Sequence, residues 1–174
     1  MTVRLVAVLA ALAVLAGCGS APKPKPSPSP TGPSPALVSW SNAYCGATKD
    51  LRFLVYTLPK GFDIKSEADR PKAAAALQTL DTKLTATVAA LRKLPKAPAP
   101  RANTLAAGEL SFYAGLLAKV TEYRTLLPRA PLSYAQSALT LTELDLSQHT
   151  PAVETDSVPG LRAAMDASPN CRLS

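Results

Sequence analysis

Residues 71–94 read PKAAAALQTLDTKLTATVAALRKL, and within them Ala73, Leu77, Leu80, Leu84, Val88, Leu91 and Leu94 recur at steps of three and four. That spacing lays the apolar side chains along one stripe of a helix with 3.6 residues per turn. Alanine, leucine, lysine and glutamine also lose little freedom on becoming helical. Pro71 stands where a first helical turn tolerates it, and Pro95 cannot continue the helix. Upstream, Ser66-Glu67-Ala68-Asp69 supplies a cap.

The same pattern extends outward, with ten prolines from Pro59 to Pro169 fencing the windows. On the amino-terminal side, Leu37, Trp40, Tyr44, Leu51, Leu54, Val55 and Leu58 form a stripe entered through Ser34 as cap and Pro35 as first residue. On the other side, Leu105, Phe112, Leu116, Val120, Tyr123 and Leu127 form a third. The fourth region is less regular. Leu139, Leu141, Leu144 and Leu146 suit a helix face, although each outer pair is spaced as in a strand; a lone strand would lack a partner, so helix is favoured. A fifth element is expected over Val158–Ala167, capped by Asp156 or Ser157, with Pro159 in its first turn. The expected fold is all-α: an antiparallel four-helix bundle over residues 36–174 with a short extra C-terminal helical turn.

Composition agrees with one globular domain. The chain has 174 residues, 47% apolar and 18% charged, which excludes a wholly disordered or collagen-like protein. It contains no uninterrupted apolar run of about 18 residues, the length a membrane-spanning helix needs.

The first residues carry a different signal. Met1-Thr2-Val3-Arg4 puts one positive charge beside the apolar run Leu5 to Ala16. That run spans about 18 Å against roughly 30 Å of hydrocarbon, so it reads as an export signal rather than an anchor. Leu15-Ala16-Gly17-Cys18 then resembles the bacterial lipobox at all four positions. The resemblance covers residues 1–18 alone. It implies that residues 1–17 are a lipoprotein signal peptide and that Cys18 becomes the amino terminus, with a diacylglyceryl group on its sulfur. Each buried CH₂ contributes about 0.8 kcal/mol, so two acyl chains hold where one binds marginally. The mature protein is therefore expected on the outer face of the cytoplasmic membrane, lipid-anchored through Cys18. The plainer alternative is a secreted protein cleaved near Ala16.

Residues 18–35 follow as a Pro/Ser/Lys-rich disordered tether. Its core, Pro22 to Pro30, alternates proline with lysine or serine, which removes backbone donors and favours an extended polyproline II spacer. Such a spacer reaches up to roughly 50 Å.

Setting Cys18 aside leaves Cys45 and Cys171, an even pair in a chain bound for an oxidising exterior, and that reads as a disulfide. It would staple the tail to the first helix, and closing so long a loop contributes about 5 kcal/mol on a chain-entropy estimate. A free buried Cys45, or an intermolecular bridge through Cys171, are the competing readings. The arrangement Trp40-x-x-x-Tyr44-Cys45 with a cysteine near the terminus resembles a set of small, mostly helical secreted actinobacterial proteins. That resemblance implies the helical fold and the disulfide, and transfers no catalytic residue.

A search for chemistry returns little. His149 is the single histidine, and no Gly-x-Ser-x-Gly frame, haem-attachment motif or Gly-rich phosphate loop accompanies it. Glu143, Asp145, His149, Glu154 and Asp156 form the nearest approach to a cation site, but their order is not that of an EF-hand, and solvated or capping roles are favoured. The aromatic residues Trp40, Tyr44, Phe112, Tyr113 and Tyr123 read as core before they read as a ligand pocket. Alanines at 73–76, 89–90 and 106–107 permit close helix approach, or leave room for a lipid tail. No catalytic residue, cofactor or metal is assigned.

Charge is polarised. Residues 36–131 carry 14 Lys and Arg against 7 Asp and Glu, while residues 132–174 carry 2 against 5. The basic face suits anionic lipid or wall polymer, and its dispersal among acids in an exported chain argues against nucleic acid. The expectation is a non-catalytic binding or interaction module at the cell surface, whose partner is another envelope protein, a cell-wall polymer or an apolar ligand. The alternative is a carrier of a lipid or other apolar small molecule, which requires a cavity of several hundred Å³ lined by Leu, Val and aromatics. A third reading is an enzyme centred on His149 and its acidic neighbours.

Overall fold

A computed structural model describes residues 32–57, 64–151 and 153–172, with the side chains of 53–57 outside that description. Cys18, the leader 1–17, most of the tether, Leu58 and the side chains of Leu54 and Val55 therefore lie outside the described residues. Among the described residues there are five α-helices: α1 (Pro35–Thr57), α2 (Arg70–Arg92), α3 (Pro100–Leu126), α4 (Leu132–Ser147) and α5 (Leu161–Ala167). Short 3₁₀ turns cover Glu67–Asp69, Thr155–Ser157 and Pro169–Cys171, and no strand occurs among the described residues.

The helix boundaries follow from local chemistry. At the start of α1, the Ser34 hydroxyl accepts from Leu37 N at 3.2 Å, with Pro35 in the first turn. Ahead of α2, Asp69 Oδ2 accepts from Lys65 N, Ser66 N and Ser66 Oγ at 3.0–3.2 Å, so the four-residue cap becomes its own 3₁₀ turn. Between α2 and α3 the prolines deprive the backbone of donors, and Asn103 supplies substitutes. Its Oδ1 accepts from Ala97 N at 2.7 Å while its Nδ2 donates to Ala97 O at 3.2 Å. Trp40 Nε1 donates to Pro95 O at 3.0 Å and pins the same loop to α1.

The predicted stripe of α2 is the interior. Ala73, Leu77 and Leu84 are completely buried and Leu80, Val88 and Leu91 nearly so, with α3 on one side and α1 on the other. Each such leucine contributes about 2–3 kcal/mol on burial. Arg70, at the start of α2, donates from Nη1 to Leu127 O and, at 2.9 Å, to Ala130 O, so this end lies beside the end of α3. Arg124 near the end of α3 pairs with Asp81 at 2.6 Å, Lys83 of α2 with Asp50 of α1 at 2.8 Å, and Lys119 of α3 with Asp145 of α4 at 2.8 Å.

Two expectations change. α4 is a helix, yet its buried face is Ala135, Ala138, Leu139, Thr142 and Leu146, and Leu141 and Leu144 point to solvent. Thr142 sits buried because its hydroxyl donates back to Ala138 O at 2.8 Å. The fifth element begins three residues late. Val158-Pro159-Gly160-Leu161 is a β-turn closed by Leu161 N to Val158 O at 3.0 Å, and Gly160 adopts φ 73°, so Pro159 lies in the turn and α5 starts at Leu161.

The C-terminal segment is bound along α1. Cys45 and Cys171 form a disulfide with Cα atoms 4.9 Å apart, across a sequence separation of 126. Beside it, Ser168 Oγ donates to Val38 O at 3.0 Å, and Asn170 N donates to Asn42 Oδ1 at 3.0 Å. Gly46 permits this approach: a Cβ there would lie 3.0 Å from Asn170 Nδ2. The buried face of α1 is therefore wider than its apolar stripe, since Ser41, Cys45 and Thr48 are also buried.

Candidate ligand-binding cleft

Helices α1 and α3 both rest on α2 but leave a gap between themselves, and α4, α5 and the segment joining them border it. The result is a cleft of about 590 Å³, within the range of small-molecule sites. α1 contributes Tyr44, Thr48, Leu51 and Arg52; α3 contributes Leu105, Glu109, Phe112 and Tyr113. Glu143, Leu146 and Ser147 come from the end of α4, His149, Pro151 and Thr155 from the connector, and Met165 from α5. Tyr44, Leu51, Leu105, Glu109 and Tyr113 are buried, whereas Ser147 and Pro151 form an exposed rim.

Glu109 is the unusual group, a carboxylate only 4% exposed. Its position follows from helix period, because Ala102, Leu105, Glu109, Tyr113, Leu116 and Val120 share the buried face of α3. Its Oε1 lies 2.9 Å from His149 Nε2, within hydrogen-bonding distance. Phe112 stacks on the imidazole with ring centroids 3.6 Å apart and planes within 9°, fixing the ring between α3 and the connector.

Two tyrosine hydroxyls share this environment. Burial, followed by the negative charge of Glu109, raises Tyr44 and Tyr113 far above the ordinary tyrosine value, and Arg52 opposes the rise in both. The Arg52 guanidinium is thus electrostatically close to both rings. Its Nη2 donates to Cys45 O at 3.1 Å, whereas its Nε is buried and has no hydrogen-bond partner among the described residues. Among the described residues no ion pair joins Arg52 to Glu109, although both line the cleft.

Several sequence candidates separate. Of the acidic neighbours of His149, Asp145 pairs with Lys119 at 2.8 Å, Asp156 pairs with Arg162 at 2.6 Å, and Glu143 lines the cleft. The histidine's carboxylate partner is Glu109, from another helix. Among the described residues, no three His, Cys, Asp or Glu side chains group as metal ligands. No hydroxyl or thiol of the described residues bonds to His149. Trp40 stacks on Tyr44 and is core, but Tyr44, Phe112 and Tyr113 are also cleft wall, so the aromatic stripe serves both roles. Tyr123 packs edge-on against Tyr134, away from the cleft.

Glu109 and Arg52 were not singled out by sequence reading. Glu109 had a visible signal, a charge at a periodic core position. Arg52 had none, since nothing in its sequence context marks it as lining a cleft.

No described helix is long and apolar enough to cross a membrane. No protein-family model, curated protein or solved structure matches this chain.

Proposed function

We propose that this chain is a lipoprotein held on the outer face of the cytoplasmic membrane by an acylated Cys18, whose helical domain binds a small molecule in the cleft without transforming it. The carrying observation is a cleft of about 590 Å³ in which Leu51, Leu105, Leu146 and Met165 supply apolar wall while Arg52, Glu109, Tyr44 and Tyr113 supply polar groups. Convergence of a few polar groups in a largely apolar concavity is the usual form of a ligand site. The frame is read as an antiparallel four-helix bundle of α1–α4, supported by the tie of Arg70 at the start of α2 to Ala130 just past the end of α3, with α5 as the trailing element.

Binding without catalysis is favoured because His149 is engaged by Glu109 and stacked on Phe112, with no hydroxyl or thiol of the described residues bonded to it. A second reading, docking of an envelope protein or wall polymer, draws on Leu141 and Leu144, 49% and 43% exposed on α4. Native mass spectrometry of protein extracted gently from its own membrane tests the first: a co-purifying small molecule is expected, and a bound macromolecule in its place would favour the second. Metabolic labelling with a radioactive fatty acid is expected to mark the wild type and miss Cys18→Ser; equal labelling of both would remove the anchor.

A further inference from the structure

We propose that the end of the helical domain from which the tether leaves is a cationic surface that docks on anionic phospholipid headgroups, with the loop between α2 and α3 turned to the bilayer. The inference rests on the acyl anchor at Cys18, and it goes on to name the face that meets the membrane.

The first observation is where the chain puts its charges. Residues 18–49 and 82–108 contain no Asp or Glu, yet they hold Lys23, Lys25, Lys49, Lys83, Arg92, Lys93, Lys96 and Arg101. Folding brings the described parts of these two stretches together: Trp40 Nε1 donates to Pro95 O at 3.0 Å, so the start of α1 sits beside the loop joining α2 to α3. Arg92, Lys93, Lys96 and Arg101 flank and occupy that loop. All four are exposed, and among the described residues none is in an ion pair, whereas Arg70, Lys72, Lys83, Lys119, Arg124 and Arg162 each meet a carboxylate. Acids approach this end from the C-terminal segment, whose Ser157 O accepts from Arg101 Nη1 at 3.1 Å. Of these, Asp156 is paired with Arg162 at 2.6 Å, while Glu154 and Asp166 lie toward α5 and leave the α2–α3 side positive.

The second observation is that helix termini do not account for all four cations. Arg92 and Lys93 suit the end of α2, where the dipole favours positive charge. Arg101 stands in the first turn of α3, where the dipole opposes it, and the first turns of α1 and α3 carry no acid to offset it. An outside anion is the group that offsets such charge.

The third observation is the attachment point. The tether enters α1 through Ser34 and Pro35, at this same end. A wall polymer can approach any exposed face, whereas the unpaired cations concentrate where an anchor at Cys18 draws the domain toward headgroups. The loop is already fixed in shape, since Asn103 bonds both N and O of Ala97 and Trp40 bonds Pro95, so docking orders little new chain.

The test uses the acylated protein extracted from its own membrane and reconstituted into vesicles of phosphatidylcholine, or of phosphatidylcholine and phosphatidylglycerol in equal parts. Both contain a trace of dansyl-labelled lipid. Trp40 is the single tryptophan and lies at the tether end, so energy transfer from it to dansyl reports docking. Transfer is expected to be greater in the anionic vesicles and to fall to the phosphatidylcholine level in high salt. Each contacting cation favours docking about fivefold, so Arg92→Gln, Lys93→Gln and Lys96→Gln together are expected to abolish the difference. Lys49→Gln, Lys72→Gln and Arg129→Gln together remove the same charge away from this end and are expected to keep it. Should a triple variant fail to fold, the wild-type comparison of the two vesicles still decides. Equal loss from both triple variants overturns the assignment to this end. Flotation with both vesicles but equal transfer in them overturns docking and leaves the anchor; a poly(glycerol phosphate) chain that then co-sediments with the wild type gives the surface to a wall polymer instead. Flotation with the anionic vesicles alone supports the cationic end and removes the anchor, and flotation with neither removes both.

Discussion

Glu109 and His149, 40 residues apart in sequence, meet at 2.9 Å, and the same imidazole lies flat on Phe112. This contact ties the connector that follows α4 to the middle of α3 and so defines one side of the cleft. His149→Ala would leave the carboxylate of Glu109, 4% exposed, without its partner. We expect a loss of about 2–3 kcal/mol, the range for stranding a buried polar group. Adding Glu109→Gln should recover part of that loss, because the stranded charge is then gone. Urea denaturation of the wild type, both single variants and the double variant measures this coupling, and strictly additive effects would show that the two side chains act independently.

Tyr44 and Tyr113 set an alkaline limit. Burial and the charge of Glu109 raise both hydroxyls above their ordinary value of 10.0, so the folded state holds these protons more tightly than the unfolded chain. The stability they confer is complete below pH 10.0 and is lost as pH rises beyond it, by about 1.4 kcal/mol per pH unit for each tyrosine. Tyr44→Phe and Tyr113→Phe should each flatten the decline between pH 10 and pH 12 relative to the wild type. Denaturant midpoints across that range supply the check, and an unchanged slope in both variants would refute the assignment.

The disulfide yields a prediction with a global and a local part. Cys45 is fully buried on α1, and the bond to Cys171 holds α5 and the turn at Pro169–Cys171 against that helix. Replacing both cysteines with alanine is expected to lower stability by about 3–5 kcal/mol, chiefly by freeing the unfolded chain. Ser168 and Asn170 still bond to α1, so residues 161–172 should loosen before the α2–α3 pair does. Hydrogen exchange resolves the order; uniform loosening of all helices would contradict it.

How much was legible in the sequence depended on what each position had to satisfy. The α2 stripe was readable because seven positions repeat one requirement, apolar burial at helical spacing, and Leu77 and Leu84 are indeed completely enclosed. α4 is a helix, as expected, but its face is legible only in part: Leu139 and Leu146 are buried, whereas Ala135, Ala138 and Thr142 complete the inner face in place of Leu141 and Leu144, which face water. The cysteine pairing follows from parity and the expected compartment, neither of which needs geometry. The cleft did not follow, because it arises from three segments distant in sequence. Glu109 could be noticed as a charge on a buried stripe, but its histidine comes from beyond the next helix, and the unmet Nε of Arg52 is a property of the folded state alone.

Gly160 tests the correction at the start of α5. Its φ of 73° completes the turn after Pro159, and a side chain in that left-handed region costs about 1 kcal/mol or more. Space is not the obstacle: an added Cβ would sit 3.7 Å from Leu37 Cδ2, an ordinary van der Waals contact. Gly160→Ala is therefore expected to destabilise by about 1–2 kcal/mol through backbone strain, and Gly160→Asn by less, because asparagine tolerates the left-handed region better. Were the helix instead to begin at Val158, position 160 would have right-handed helical angles and alanine would stabilise it by about 1 kcal/mol over glycine. The sign of the change in the urea midpoint for Gly160→Ala thus separates the two accounts.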